Sequence, residues 1–192
     1  VEKEFVMYHI DGGSGVTLSG TEEENEFWGV GAEVSPDGKY MYFAKQTDSN
    51  GPAKNFPTAQ INRYSFLTGN LDQITQGEGG GLRPALSSDG HLLVYATRNE
   101  AKTGLRIRNL TSGSDRWLSY PVQRDAQENF RPPSRDLLPG YSFTPDDQSI
   151  IFHAGGKFHR VDITSNKKQE IPFSADVNLD IGPDLTSSYR VP

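Results

Sequence analysis

The stretch SPDGKYMYFA, residues 35–44, decides the fold. Ser35-Pro36-Asp37-Gly38 is turn chemistry. Proline presets the first central backbone angle, Asp bonds its own backbone, and Gly takes a positive φ without a Cβ clash. A short apolar run, Val30 to Val34, leads into the turn, and Tyr40-Met41-Tyr42-Phe43-Ala44 leads out of it. Two β-rich runs joined by such a turn read as a hairpin.

The same unit returns twice. Ser87-Ser88-Asp89-Gly90 and Thr144-Pro145-Asp146-Asp147 follow at spacings of 52 and 57 residues. Leu92-Leu93-Val94-Tyr95-Ala96 and Ile150-Ile151-Phe152-His153-Ala154 follow those turns. Asp147 stands where the other copies have Gly, so it is expected to take that conformation at some strain.

A second hairpin lies downstream of each first one. Ile61 to Leu67, Leu105 to Leu110 and Phe158 to Ile163 each run into a Thr/Ser/Gly/Asn turn and then a further strand. Phe5 to Ile10, with Asp11-Gly12-Gly13-Ser14 and Val16-Thr17-Leu18, is the same motif without a first hairpin before it. Two hairpins make one four-stranded antiparallel unit, and such units repeating at about 40–50 residues are the signature of a β-propeller. The fold class expected is all-β, a partial propeller of about three blades plus a leading half blade. The half blade covers 1–20, the blades 30–76, 82–119 and 140–173, and a tail 174–192 leads toward a missing blade. A β-sandwich would not explain four like hairpins in phase.

Composition agrees. The chain of 192 residues carries 20 Gly and 12 Pro, which suits many turns, and enough Phe, Tyr and Trp to exclude a disordered chain. No apolar stretch approaches the length of a membrane helix. The net charge of −6 argues against a nucleic-acid binder, which needs a basic surface. Cysteine is absent, so disulfides, thiolate metal sites and cysteine nucleophiles are excluded. The chain starts at Val1, not Met, and no signal peptide is visible in it.

The SPDGK-apolar hairpin followed by a strand–turn–Gly hairpin resembles the TolB-like, WD-type propeller repeat, from Phe5 to Phe173. A narrower stretch, Ser134 to Asp146 with Gly156 to Ile163 and Ile171 to Val177, is similar to the propeller half of bacterial amidohydrolase-related proteins. In that family a propeller precedes a metal-dependent hydrolase domain whose site needs an H-x-H pair. The four histidines here, His9, His91, His153 and His159, form no such pair. The family's catalytic residues therefore carry over to no position. The resemblance implies a non-catalytic module for ligand binding or substrate gating, without cofactor or metal. Its partners would be other blades, another copy, or a hydrolase domain of a parent protein, and its location the periplasm or outside the cell, with the cytoplasm not excluded. The alternative implied is a TolB-type envelope adaptor that binds a peptide or lipoprotein.

Antiparallel order sorts the connections of each blade, whose strands are a to d. The a–b and c–d turns share one end and are short. The connections Gln46 to Gln60, Ser19 to Gly29, Gly77 to Gly81 and Ser119 to Pro139 share the other. Long loops on a rigid scaffold are where binding residues concentrate. Candidate ligand- or partner-binding residues on that face are Arg83, Arg124, Arg131, Arg135 and Asp136, with Asp125 and Glu128 beside them. Paired arginine and carboxylate groups there would either hold a peptide terminus or acidic ligand, or fix the loop as an ion-pair network. Arg83, at the start of an innermost strand, would point into the central channel or bond the neighbouring blade. Thr21-Glu22-Glu23-Glu24-Asn25-Glu26 with Phe27-Trp28 reads as a cation or basic-partner patch with an aromatic anchor, or as a solvated linker with its aromatic pair packed between blades. His153 and His159, on consecutive strands, are expected either to face each other or to serve in packing.

Overall fold

The computed structural model describes residues 5–18, 29–46, 57–124, 140–178 and 182. Every regular element among them is a β-strand. A two-stranded ribbon, β1 (Val6–Met7) and β2 (Val16–Thr17), comes first. Blade one is β3 (Gly29–Val34), β4 (Tyr40–Gln46), β5 (Ala59–Ser65) and β6 (Leu71–Gln73). Blade two is β7 (Leu82–Leu86), β8 (Leu92–Asn99), β9 (Lys102–Asn109) and β10 (Asp115–Arg124). Blade three is β11 (Tyr141–Phe143), β12 (Ser149–Ala154), β13 (Lys157–Asp162) and β14 (Lys168–Ile171). Each blade is an antiparallel sheet whose spatial order follows the chain. The partial propeller expected from the repeat is thus the observed fold.

The hairpin turns are built alike three times. Ser35 Oγ donates to Asp37 Oδ1 at 2.6 Å and accepts from the Tyr40 amide at 2.9 Å, while Asp37 Oδ1 also accepts from the Lys39 amide. Ser87 and Asp89 repeat this with the amides of Leu92 and His91. Thr144 and Asp146 repeat it with those of Ser149 and Gln148. A hydroxyl at the first position and a carboxylate at the third are therefore both required, one as relay and one as acceptor. The hydroxyl hydrogen bond is the main cause that holds the Asp37 carboxyl down to about 2, and it lowers Asp89 and Asp146 as well.

Burial distinguishes the blades. In β8 of the middle blade Leu93, Val94, Tyr95 and Ala96 are all buried, so both faces of the sheet are covered. In β12 of blade three burial alternates. Ile150, Phe152 and Ala154 are covered by blade two, whereas Ile151 and His153 on the opposite face are exposed. In blade one Tyr42 and Ala44 join the core shared with blade two, and Met41 and Phe43 form a separate cluster with Phe5 and Leu18. Phe5 lies 5.0 Å from Phe43, so the ribbon covers part of that flank. The innermost strand β7 touches β3, β4 and β5 on one side and β11 on the other.

Blade three is tethered to blade two at its a–b and c–d turns. Asp147 has φ 54° and Asn166 has φ 57°, in positions where the other hairpins place Gly38, Gly90, Gly69 and Gly113. Each side chain crosses to blade two. The Asp147 carboxylate accepts from the Ser88 amide at 2.9 Å and from Ser88 Oγ at 2.5 Å. Asn166 Nδ2 donates to the Trp117 carbonyl at 3.1 Å, and Arg116 donates to Asn166 Oδ1 at 2.6 Å and to the Ile163 carbonyl. These cross-blade bonds offset the left-handed strain that a glycine would avoid. At the blade one–two boundary the corresponding contact is apolar, since a Cβ on Gly90 would lie 3.3 Å from Pro36.

Asp147→Ala keeps the strain and loses the tether, so it is expected to cost about 1–2 kcal/mol in urea denaturation. Asp147→Gly loses the same bonds but relieves the backbone, and the expected cost is smaller. The depressed aspartates set an acid limit. For Asp37 the stabilisation is full above the ordinary Asp range near pH 4 and is lost as pH falls toward 2; Asp89 and Asp146 act in the same direction. Carbon-detected titration should find Asp37 protonating near pH 2, and Ser35→Ala should move it up toward pH 4.

Candidate ligand-binding face

The two ends of the blades differ in construction. The a–b and c–d turns carry the hydroxyl–Asp networks and the cross-blade tethers. The opposite end receives the connections between blades. One of these, Gly77 to Gly81, is tucked in: a Cβ on Gly79 would lie 1.9 Å from the Arg98 carbonyl oxygen, and the Arg98 amide donates to the Gly79 carbonyl at 3.0 Å. Only glycine permits that approach.

Arg83 lies in β7 at this end, with φ 52°. Gly31 and Gly140 hold the corresponding positions before β4 and β12. A Cβ on Gly31 would lie 3.6 Å from Arg83 Cα, and one on Gly140 would lie 3.5 Å from an Arg83 guanidinium nitrogen. Arg83 is thus the one long cation at a position where both neighbouring strands have no side chain. Its guanidinium carbon lies 5.7 Å from the centre of the Tyr141 ring, and the Tyr141 hydroxyl donates to the carbonyls of Leu82 and Arg83. The structure therefore places Arg83 against the neighbouring blade at the end of the innermost strands.

Arg124 departs from the sequence expectation. It is not in a loop but closes β10, where it pairs in register with Lys102, as Gln123 does with Thr103. The strand runs past Ser119 because β9 is eight residues long and offers it a ladder. Register shifts absorb Tyr120 and Pro121, which an outermost strand tolerates since its outer side needs no donor. Arg131, Arg135 and Asp136 lie outside the described residues, as do Asp125, Glu128 and the Glu22–Trp28 stretch.

The two histidines do not face each other. Register pairs His153 with Phe158 and Phe152 with His159, so the imidazoles lie on opposite faces of blade three. His159 packs 5.2 Å from the Phe152 ring. Among the described residues no three His, Asp or Glu side chains converge in a metal-binding arrangement. Asp162 bonds its own turn, accepting from the amide and hydroxyl of Ser165, both at 2.7 Å.

Two features escaped the sequence reading. Asp115 gathers Arg106 Nε at 2.6 Å and the Tyr95 hydroxyl at 2.7 Å, with Arg108 at 3.5 Å. Burial and that carboxylate push the Tyr95 phenol far up, so it stays a neutral donor. Strand register alone brings these groups together, and nothing in their spacing announces it. Glu33, half-buried on β3, has its carboxyl raised by desolvation. Its signal was present: it is the one charge in the run Gly29 to Val34.

No family model and no curated protein matches the chain. Solved structures do. TolB from Acinetobacter baumannii superposes with a TM-score of 0.62 at 17% identity, over 88% of this chain and 37% of that one. The fold is that of a TolB-like β-propeller. An oligogalacturonate lyase in complex with manganese matches with a TM-score of 0.55 at 18% identity, over 86% of this chain and 42% of that one. The β-propeller domain of the Trilobed protease from Pyrococcus furiosus matches at 0.51 and 12%, over 76% and 43%. The chain therefore spans less than half of each of these structures. Such different neighbours at this identity establish the TolB-like architecture and leave its use open.

The Tyr141 hydroxyl joins two innermost strands of this TolB-like array. Tyr141→Phe is expected to cost about 1 kcal/mol of stability, read from the urea midpoint. Arg83→Ala should change that midpoint by less, because the backbone carbonyls accepting from Tyr141 remain.

Proposed function

We propose that this chain is a non-catalytic propeller module, a section of a larger protein, that binds a peptide or protein ligand on the face where its blades are connected. The observation that carries the reading is the asymmetry of the two ends. One is tied by repeated turn networks and cross-blade tethers. The other carries Arg83, half-buried with its guanidinium beside Gly140 and the Tyr141 ring at the end of the innermost strands. A guanidinium there suits a carboxylate, including a peptide C-terminus.

The resemblance of Ser134 to Val177 to amidohydrolase-related proteins supports a parent in which the propeller orients or filters substrate for a metal-dependent hydrolase domain. A TolB-type adaptor in the cell envelope is the second reading, supported by the likeness to TolB. Both readings favour an exported protein, and in both this chain performs no bond-breaking itself.

Two measurements test the proposal. In the reading frame that contains the chain, an H-x-H motif with further His and Asp residues downstream of Pro192 supports the hydrolase parent, and a stop codon there removes it. Calorimetric titration with peptides bearing a free C-terminus should show binding that weakens about tenfold with Arg83→Ala, the loss of one charge-assisted hydrogen bond of roughly 1.4 kcal/mol. Lys39→Ala, on the tight-turn face, should leave it unchanged. Equal weakening by both substitutions would exclude the connection face.

A further inference from the structure

Blade three has one open face, and its chemistry is readable because blade one carries the same face closed. In blade one Tyr42 and Ala44 point toward blade two and are buried by it. Counting from the hairpin turns, Ile151 and His153 occupy those positions in blade three. Ile151 is 37% exposed, Phe158 43% and Phe173 61%, with the two phenyl rings in edge contact at 5.3 Å. Ile151 and Phe158 stand where blade one has the buried Tyr42 and Ile61, so the patch has the make-up of a face that is normally covered.

The outer half of the same face is polar, and here the two blades differ. Register places Arg63 opposite Tyr42 and Asp72 in blade one, and Arg160 opposite Ile151 and Gln169 in blade three. Arg63 is satisfied within its own blade: it donates to Asp72 at 2.7 Å and lies over the Tyr40 ring at 4.5 Å. Arg160 has Ser149 in place of Tyr40, bonded to its Nε at 2.8 Å, and Gln169 in place of the carboxylate. No ion pair closes its terminal nitrogens among the described residues. Lys167 lines the same cleft of about 240 Å³, with Ser149, Asp162, Ser165 and Gln169. The one carboxylate there, Asp162, is already held by Ser165. Lys157 and Glu170 pair with each other at 2.8 Å.

We infer that the open face of blade three is a docking surface for a β-strand of polypeptide that lays aliphatic side chains on Ile151 and Phe158 and brings an Asp or Glu carboxylate to Arg160 and Lys167. The inference rests on the reading of this chain as part of a larger assembly, and it adds the recognition chemistry of the joint. The partner supplies from outside what Asp72 supplies to Arg63 from within. A neutral strand would cover the apolar half and leave two cations desolvated with one carboxylate, Asp162, between them, a net positive charge that is costly to bury.

The test uses the whole 192-residue chain and a blocked peptide, acetyl-Val-Thr-Val-Thr-Asp-Thr-amide, whose two valines and Asp share one face of a strand, beside its Asp→Asn counterpart and sodium acetate. Nuclear magnetic resonance follows the Ile151 methyl and Arg160 Nε–H signals. Saturable shifts of both with the Asp peptide are expected, at least tenfold weaker with the Asn peptide. Arg160→Gln should remove that preference. Gln169→Asp should also reduce it, because it rebuilds the in-blade pair of blade one. If both peptides bind equally through Ile151, the face is an interface but the carboxylate requirement is wrong. If acetate moves Arg160 as the peptide does, the cleft is a free-anion site and the inference is overturned. If no peptide touches Ile151 at millimolar concentration, the docking surface itself is refuted.

Discussion

A four-stranded sheet with two apolar faces is stable only when both are covered. That requirement organises the whole molecule. In β8 five consecutive side chains, Leu93 to Thr97, are buried, which no isolated sheet could achieve. Blade one covers one face and blade three the other. Burying side chains such as Leu93 and Val94 contributes on the order of 1.5–3 kcal/mol each, so stacking rather than strand propensity holds the blades together. Where stacking stops, as at Ile151 and Phe158, the sequence remains apolar and the surface is left open.

Turn chemistry sets the spacing at which the sheets can stack. A hydroxyl and an Asp two residues later tie each first hairpin, and the same atoms recur in all three blades. On that common frame the fourth turn position is free to vary. Where it is Gly the blades meet through a proline. Where it is Asp147 the turn takes the same left-handed conformation and uses its carboxylate to hold Ser88. Asn166 does the same at the outer turn. Blade three, with one face uncovered, is the blade that carries both tethers.

The turn networks tie one end of the blades, and the connections between blades run at the other. Connections there can vary in length without disturbing the stack. Arg83 stands at that end because innermost strands converge and two of the three have Gly at the corresponding place. A cation amid glycines and the open flank of blade three are separate features: one faces along the axis of the array, the other around it.

The hairpin repeat, the strand order and the count of blades were legible in the sequence, because turn residues and apolar runs are local signals with a fixed period. The strain at Asp147 was legible for the same reason. The extension of β10 to Arg124 was not, since it depends on the length of β9 beside it. Nor was the separation of His153 from His159, which follows from a two-residue turn that fixes the register and sends them to opposite faces. The Tyr95–Arg106–Asp115 cluster and the unmatched Arg160 are likewise products of pairing between strands. Sequence by itself determined which segments become strands and where the chain turns. Only the tertiary structure decided which side chains meet, because one residue of register exchanges every contact of a strand from one face to the other.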